Sequence, residues 1–170
     1  MDGNVYDEDS AAAARLRELE ADRWILLQST FSILNEVAAT EDTDKRDRML
    51  DEAEGRLASL DVWVLGYGKL GQVVVGGEAD AALMDRIWQV AKPGVDRATA
   101  SDSHHRDVIA LHTAIRNRRD GFITRDRQLL NKAGNVKAEF SGFLLFNPED
   151  CVEFVQDRVG VYRRRTGGGE

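Results

Sequence analysis

The chain is short of cysteine, of proline, of long apolar runs and of positive charge, and each shortage excludes something. A single cysteine, Cys151, cannot close an internal disulfide, which fits a reducing compartment. Proline occurs only at 93 and 148, once where a helix should stop and once where a helix should start. No run approaches the roughly 20 consecutive apolar residues that a membrane helix needs. The N-terminal stretch MDGNVYDEDS is acidic and lacks the basic-then-apolar order of a secretory signal, so the expected location is the cytoplasm. With 23 basic against 30 acidic residues the net charge is −7, which excludes a protein whose whole surface grips nucleic acid by neutralising phosphates. A local basic patch remains open, as does an acidic cluster holding a cation that then meets a phosphate. Arg116, Arg118 and Arg119, and the run Arg163, Arg164 and Arg165, are the candidate patches; they read as solvated helix faces and a charged tail.

Catalytic signatures are also scarce. There is no H-x-x-x-H pair, and His104 and His105 adjoin in a polar stretch, so a zinc site has little support. No serine sits in G-x-S-x-G, and Cys151 falls in the first turn of an expected helix, where it reads as a packing residue.

What is present is the pattern of a single α/β domain, 170 residues long and able to bury a real core. Ala12, Leu16 and Leu19 recur at helical spacing after the N-cap candidate Ser10. Trp24-Ile25-Leu26-Leu27 reads as a buried parallel strand. A second helix is expected from Ser29 or Thr30, with Ile33, Leu34, Val37 and Ala38 inward, and a third from about Asp44 to Leu60. Helices follow over Ala81–Ala91, stopped by Lys92-Pro93-Gly94, and along Val108, Leu111 and Ile115. Gly121–Thr124 and Gly142–Phe146 read as strands around a short helix at Gln128–Ala133. Asn147-Pro148-Glu149-Asp150 reads as a helix start: an Asn cap, Pro in the first turn, carboxylates at the positive end of the dipole. Strands separated by helices predict a parallel sheet with helices on both faces, with a Gly-rich β-like insertion near residues 61–79. The expected organisation is one domain over 1–158 and a charged, Gly-rich, disordered tail over 159–170.

Gly66-Tyr67-Gly68-Lys69-Leu70-Gly71 fits G-x-G-x-x-G after a strand-like run. A dinucleotide site needs the third glycine to open a helix whose N-terminus receives the pyrophosphate. Here Gln72-Val73-Val74-Val75-Gly76-Gly77 follows, a poor helix former, so the loop reads as a hairpin or flexible connection without a nucleotide.

The carboxylates carry more. Asp107 precedes Leu111 by four and Ala114 by seven residues, so it shares their inward face at the start of a helix. A buried carboxylate needs a cation, a set of donors or a raised pKa. Asp126 follows the apolar strand GFIT and can cap the next helix, while Glu36 lies among Ile33, Leu34, Val37 and Ala38, and Asp2 precedes Gly-Asn-Val-Tyr. Each alone reads as a cap or a surface charge. Brought together at the C-terminal ends of parallel strands, where ligands gather, they would form an acidic pocket that repels itself unless Mg²⁺ or Mn²⁺ fills it.

The order D-x-N-V near the start, Glu36 in the second helix, then RDVIALHTA…GFITRDRQLL and FLLFNPEDCVEFV resembles the PIN-domain nucleases, which include the VapC-like toxins of toxin–antitoxin pairs. The resemblance spans Asp2 to about Val155. Its most specific part is an Asp opening a helix, strand-T-x-D nineteen residues later, then strand, N-P-E and a final helix. It implies a PIN-like fold and a metal-dependent endoribonuclease holding Mg²⁺ or Mn²⁺ with Asp2, Glu36, Asp107 and Asp126 as catalytic and metal-binding residues, and with Thr124 ordering the site. It also implies an RNA substrate, a small antitoxin partner and a homodimer. In the family the first acidic residue ends the central first strand, whereas here only Met1 precedes Asp2. The alternative is a PIN-like module with an impaired site that binds protein or RNA.

Overall fold

The computed structural model describes residues 10–30, 37–54, 57–59, 62–63 and 74–167. Asp2, Glu36, the Gly66–Gly71 loop and residues 168–170 lie outside the described residues. Among those described, seven helices and six short strands alternate, so the chain is α/β and mostly helical. No helix among them is long and apolar enough to cross a membrane.

Helix α1, Ala11–Ala21, begins where Ser10 accepts the Ala13 amide, and buries Ala13, Leu16 and Leu19. The apolar run at Trp24–Leu27 was expected to pair as a strand, but its amides are committed to α1. Trp24 N–H donates to the Leu19 carbonyl and Leu27 N–H to Glu20 Oε1, at 2.9 and 3.0 Å. The strand starts five residues later: β1 is Ser29–Thr30, where a helix start was expected. Val37 and Ala38 are helical, as expected. Helix α2, Thr43–Glu54, is shorter than the expected 44–60, because Leu57–Ser59 forms β2, parallel to β1.

Strands β3, Val62–Trp63, and β4, Val74–Val75, also pair in parallel. A hairpin is thereby excluded here, because a tight turn joins only antiparallel strands. Helix α3, Glu78–Ala91, ends as expected at Lys92-Pro93-Gly94, with Gly94 at φ 78°, a left-handed conformation that glycine adopts without steric penalty. A 3₁₀ turn at Arg97–Thr99 leads to α4, Asp102–Arg116, capped by Ser101.

The remainder builds the best-formed layer. β5, Gly121–Ile123, runs parallel to β6, Leu144–Phe146, in direct register, with α5 (Arg127–Leu130) and α6 (Ala133–Glu139) between them in sequence. Successive strand residues face opposite ways. Phe122 and Leu145 join the larger core of α3, α4, α5 and α6, around Met84, Ile87, Val108, Leu111, Leu129 and Val136. Ile123 and Phe146 meet Leu16, Leu27 and Cys151 on the other side, under α1 and α7, Pro148–Arg165. Helices thus cover both faces of the β5–β6 pair. The described strands form three parallel pairs. Helix α7 continues through Arg165, so the stretch expected as a tail from 159 is helical to that point.

Candidate functional site

The β5–α5 junction positions two of the sequence-predicted residues. Thr124, buried at the end of β5, donates its N–H to the Phe146 carbonyl at 2.8 Å, extending the ladder by one residue. Its Oγ1 accepts the Asp126 amide at 3.0 Å, which fixes the turn. Asp126 is then the N-cap of α5: its Oδ1 accepts the amides of Gln128 at 2.7 Å and Leu129 at 3.4 Å. Between them Arg125 forks onto Glu149 in the first turn of α7, at 2.5 and 2.7 Å, and this guanidinium holds the Glu149 carboxyl below its ordinary pKa. The Thr124 hydroxyl thus fixes the turn that carries Asp126.

Asp107 is the sixth residue of α4, in the second turn, not at the helix start as its sequence context suggested. The free amides of the helix N-terminus are therefore out of its reach. Its charge is met instead by Lys92, whose Nζ lies 2.6 Å from Asp107 Oδ2. Lys92 is only 5 % exposed and Asp107 25 %. A buried ammonium is stable only with such a partner. Sequence reading missed Lys92, whose position in a Lys-Pro-Gly helix stop signals only the end of α3.

A second polar knot ties α3 to α4. Asp80 Oδ1 lies 2.9 Å from Arg116 Nε and 3.2 Å from His112 Nε2. His112 is fully buried, and neither ring nitrogen has an aligned hydrogen bond. Burial lowers the His112 pKa below its ordinary 6.5, outweighing the upward pull of Asp80. Cys151 is buried and its thiol pushed up to about 11, which suits a packing residue and not a nucleophile.

For a hard divalent cation the described donors are Asp107 and Asp126. Each already has a protein partner, Lys92 for one and two amides for the other. No group of three or more possible ligands occurs among the described residues. The segment entering β1 reads Gln28-Ser29-Thr30, so the first described strand brings an amide and not a carboxylate. Comparison with protein-family models, with curated proteins and with solved structures finds no match to this chain.

Proposed function

We propose that the chain is a divalent-metal-dependent endoribonuclease of PIN type, acting as the toxin of a toxin–antitoxin pair. The observation that carries this reading is the β5–α5 junction: Asp126 at the C-terminal end of a parallel strand, its turn set by Thr124, with Asp107 held on α4, the helix that leads into the same strand. Asp107 and Asp126 would hold Mg²⁺ or Mn²⁺, with Asp2 and Glu36 as the further carboxylates that the sequence resemblance supplies. When bound, the metal activates water and stabilises charge on the phosphorane oxygens. The protein's own part is to aim the Asp126 carboxylate by tying its backbone to Thr124, and to hold Asp107 in place on α4 beside Lys92.

The Lys92–Asp107 pair favours a second reading, a PIN-like module with an impaired site that binds RNA or protein. The two separate on incubation of mixed single-stranded RNAs with Mn²⁺ and then with EDTA, alongside thermal melting in each. Cleavage that EDTA abolishes supports the nuclease. Binding or metal stabilisation without cleavage supports the module and overturns the nuclease.

A further inference from the structure

An open groove of about 1320 Å³ lies where the C-terminal ends of α1, α4 and α6 meet the flank of α7 and the start of β5. Neither Asp107 nor Asp126 lines it. The residues that line the groove are thus distinct from the candidate carboxylates.

Its charge runs against that of the chain. Four exposed arginines, Arg23, Arg118, Arg119 and Arg158, line it, on a protein of net charge −7. Among the described residues none of the four makes an ion pair. Two acidic residues, Glu20 and Asp120, also line the groove, and Glu20 Oε1 already accepts the Leu27 amide. Aromatic surface stands beside the arginines. Tyr162 is 57 % exposed and meets Trp24 edge-on with centroids 5.8 Å apart. Arg163 lies over the Trp24 ring, and Arg158 over that of Phe154.

The backbone adds an independent sign. Among the described residues the non-glycine positions with positive φ are Arg23 at 63°, Arg118 at 54° and Ser141 at 44°, and all three line this groove. Each follows the cap of a helix, the place where glycine relieves the left-handed turn. Arginine there is the strained choice, and strain of this kind gathers at functional surfaces. In this conformation the two side chains are carried onto the rim of one groove.

From these features we infer that the groove binds single-stranded RNA, the arginines meeting phosphates and Tyr162 offering a face to an unstacked base. This rests on the proposed action on RNA and adds to it a place where the strand is held. The exposed Tyr162 ring beside the arginines favours a single strand over an acidic peptide, which would use the charge alone, and over a duplex, whose bases are already stacked.

The test is equilibrium binding of a short, labelled, mixed-sequence single-stranded RNA to the full chain in EDTA, so that binding is read apart from cleavage. Wild type is compared with Arg23→Gly/Arg118→Gly and with Tyr162→Ala. The glycine pair relieves backbone strain, so it should melt at or above the wild-type temperature while its salt slope falls by about 2, one per phosphate contact. Tyr162→Ala should weaken binding about fivefold or more if a base stacks there. Undiminished affinity in the glycine pair overturns the inference even if wild type cleaves RNA with metal, and leaves the nuclease reading standing. Equal affinity for duplex RNA, displacement by polyglutamate at matched charge, or a dimer that the glycine pair converts to monomer would each overturn it too. Loss of binding in the variants supports the groove whether or not the wild type cleaves.

Discussion

Lys92 Nζ sits 2.6 Å from Asp107 Oδ2, joining the C-terminal cap of α3 to the second turn of α4. The two residues are fifteen apart in the chain and are brought together by the packing of α3 on α4. A carboxylate that the sequence marks as inward-facing thus has its cation inside the protein.

Asp107→Asn keeps the side-chain shape but leaves a 5 %-exposed ammonium without its counter-charge. It should cost about 2–3 kcal/mol in urea unfolding with EDTA present, below the fully buried range because Asp107 keeps some contact with water. Lys92→Met/Asp107→Leu should recover most of that loss. If Asp107 is also a metal ligand, Lys92→Met alone should bind Mn²⁺ more tightly than wild type. An Asp107→Asn protein as stable as wild type would show that the pair contributes little.

At Asp126 the cap and the ligand can be separated by one pair of substitutions. Asn and Asp are comparable N-caps, so Asp126→Asn should hold stability within a few tenths of a kcal/mol, whereas Asp126→Ala should lose about 1 kcal/mol. Only the charge differs in the Asn variant. Cleavage that collapses in Asp126→Asn, with its melting curve unchanged, identifies a catalytic carboxylate. Full activity there means that Asp126 is a cap alone.

His112 makes stability depend on pH. Fully buried beside Asp80 and Arg116, it takes up a proton at lower pH when folded than its ordinary 6.5, because burial outweighs the Asp80 charge. Between those two values the unfolded chain holds the extra proton, so the His112 contribution is complete above about pH 6.5 and is lost as pH falls through that window. Chemical denaturation between about pH 7.5 and 5 should show the decline, and His112→Leu should flatten it. A His112→Leu profile that still falls as steeply would place the titration elsewhere.

Gly121 pairs with Leu144 where β5 meets β6. A Cβ there would lie 2.5 Å from the Leu144 carbonyl oxygen and 3.2 Å from the Phe146 ring. The first obstacle is backbone and cannot rotate away, so Gly121→Ala should part the strand pair and cost about 2–3 kcal/mol. Gly134→Ala, with nothing within 4 Å of the added carbon, is the matched control and should be neutral or stabilising. Equal stability of the two variants would contradict the close approach.

Local signals were legible where the physics is local. Ser10 and Asn147 announced their helices because a cap bonds within three residues, and Lys92-Pro93-Gly94 announced a stop because proline and glycine act on their own backbone. The strand run GFI and the apolar stripe of α4 were legible from side-chain period. The run at Trp24–Leu27 was misread because its amides bond back to α1, and apolar content says nothing about who takes a backbone N–H. The segment at 62–75 was misread as a hairpin because β-branched residues favour a strand without specifying its direction.

By itself the sequence determined the alternation of helices and strands, the caps and the helix stop at Lys92-Pro93-Gly94, all of which depend on residues a few positions apart. Tertiary structure alone decided that Lys92 would neutralise Asp107, that His112 would be sealed beside Asp80, and that Arg23, Arg118 and Arg158 would share one groove. Those pairings join different helices, and their geometry is set by how apolar faces pack around β5 and β6, which no short-range pattern encodes.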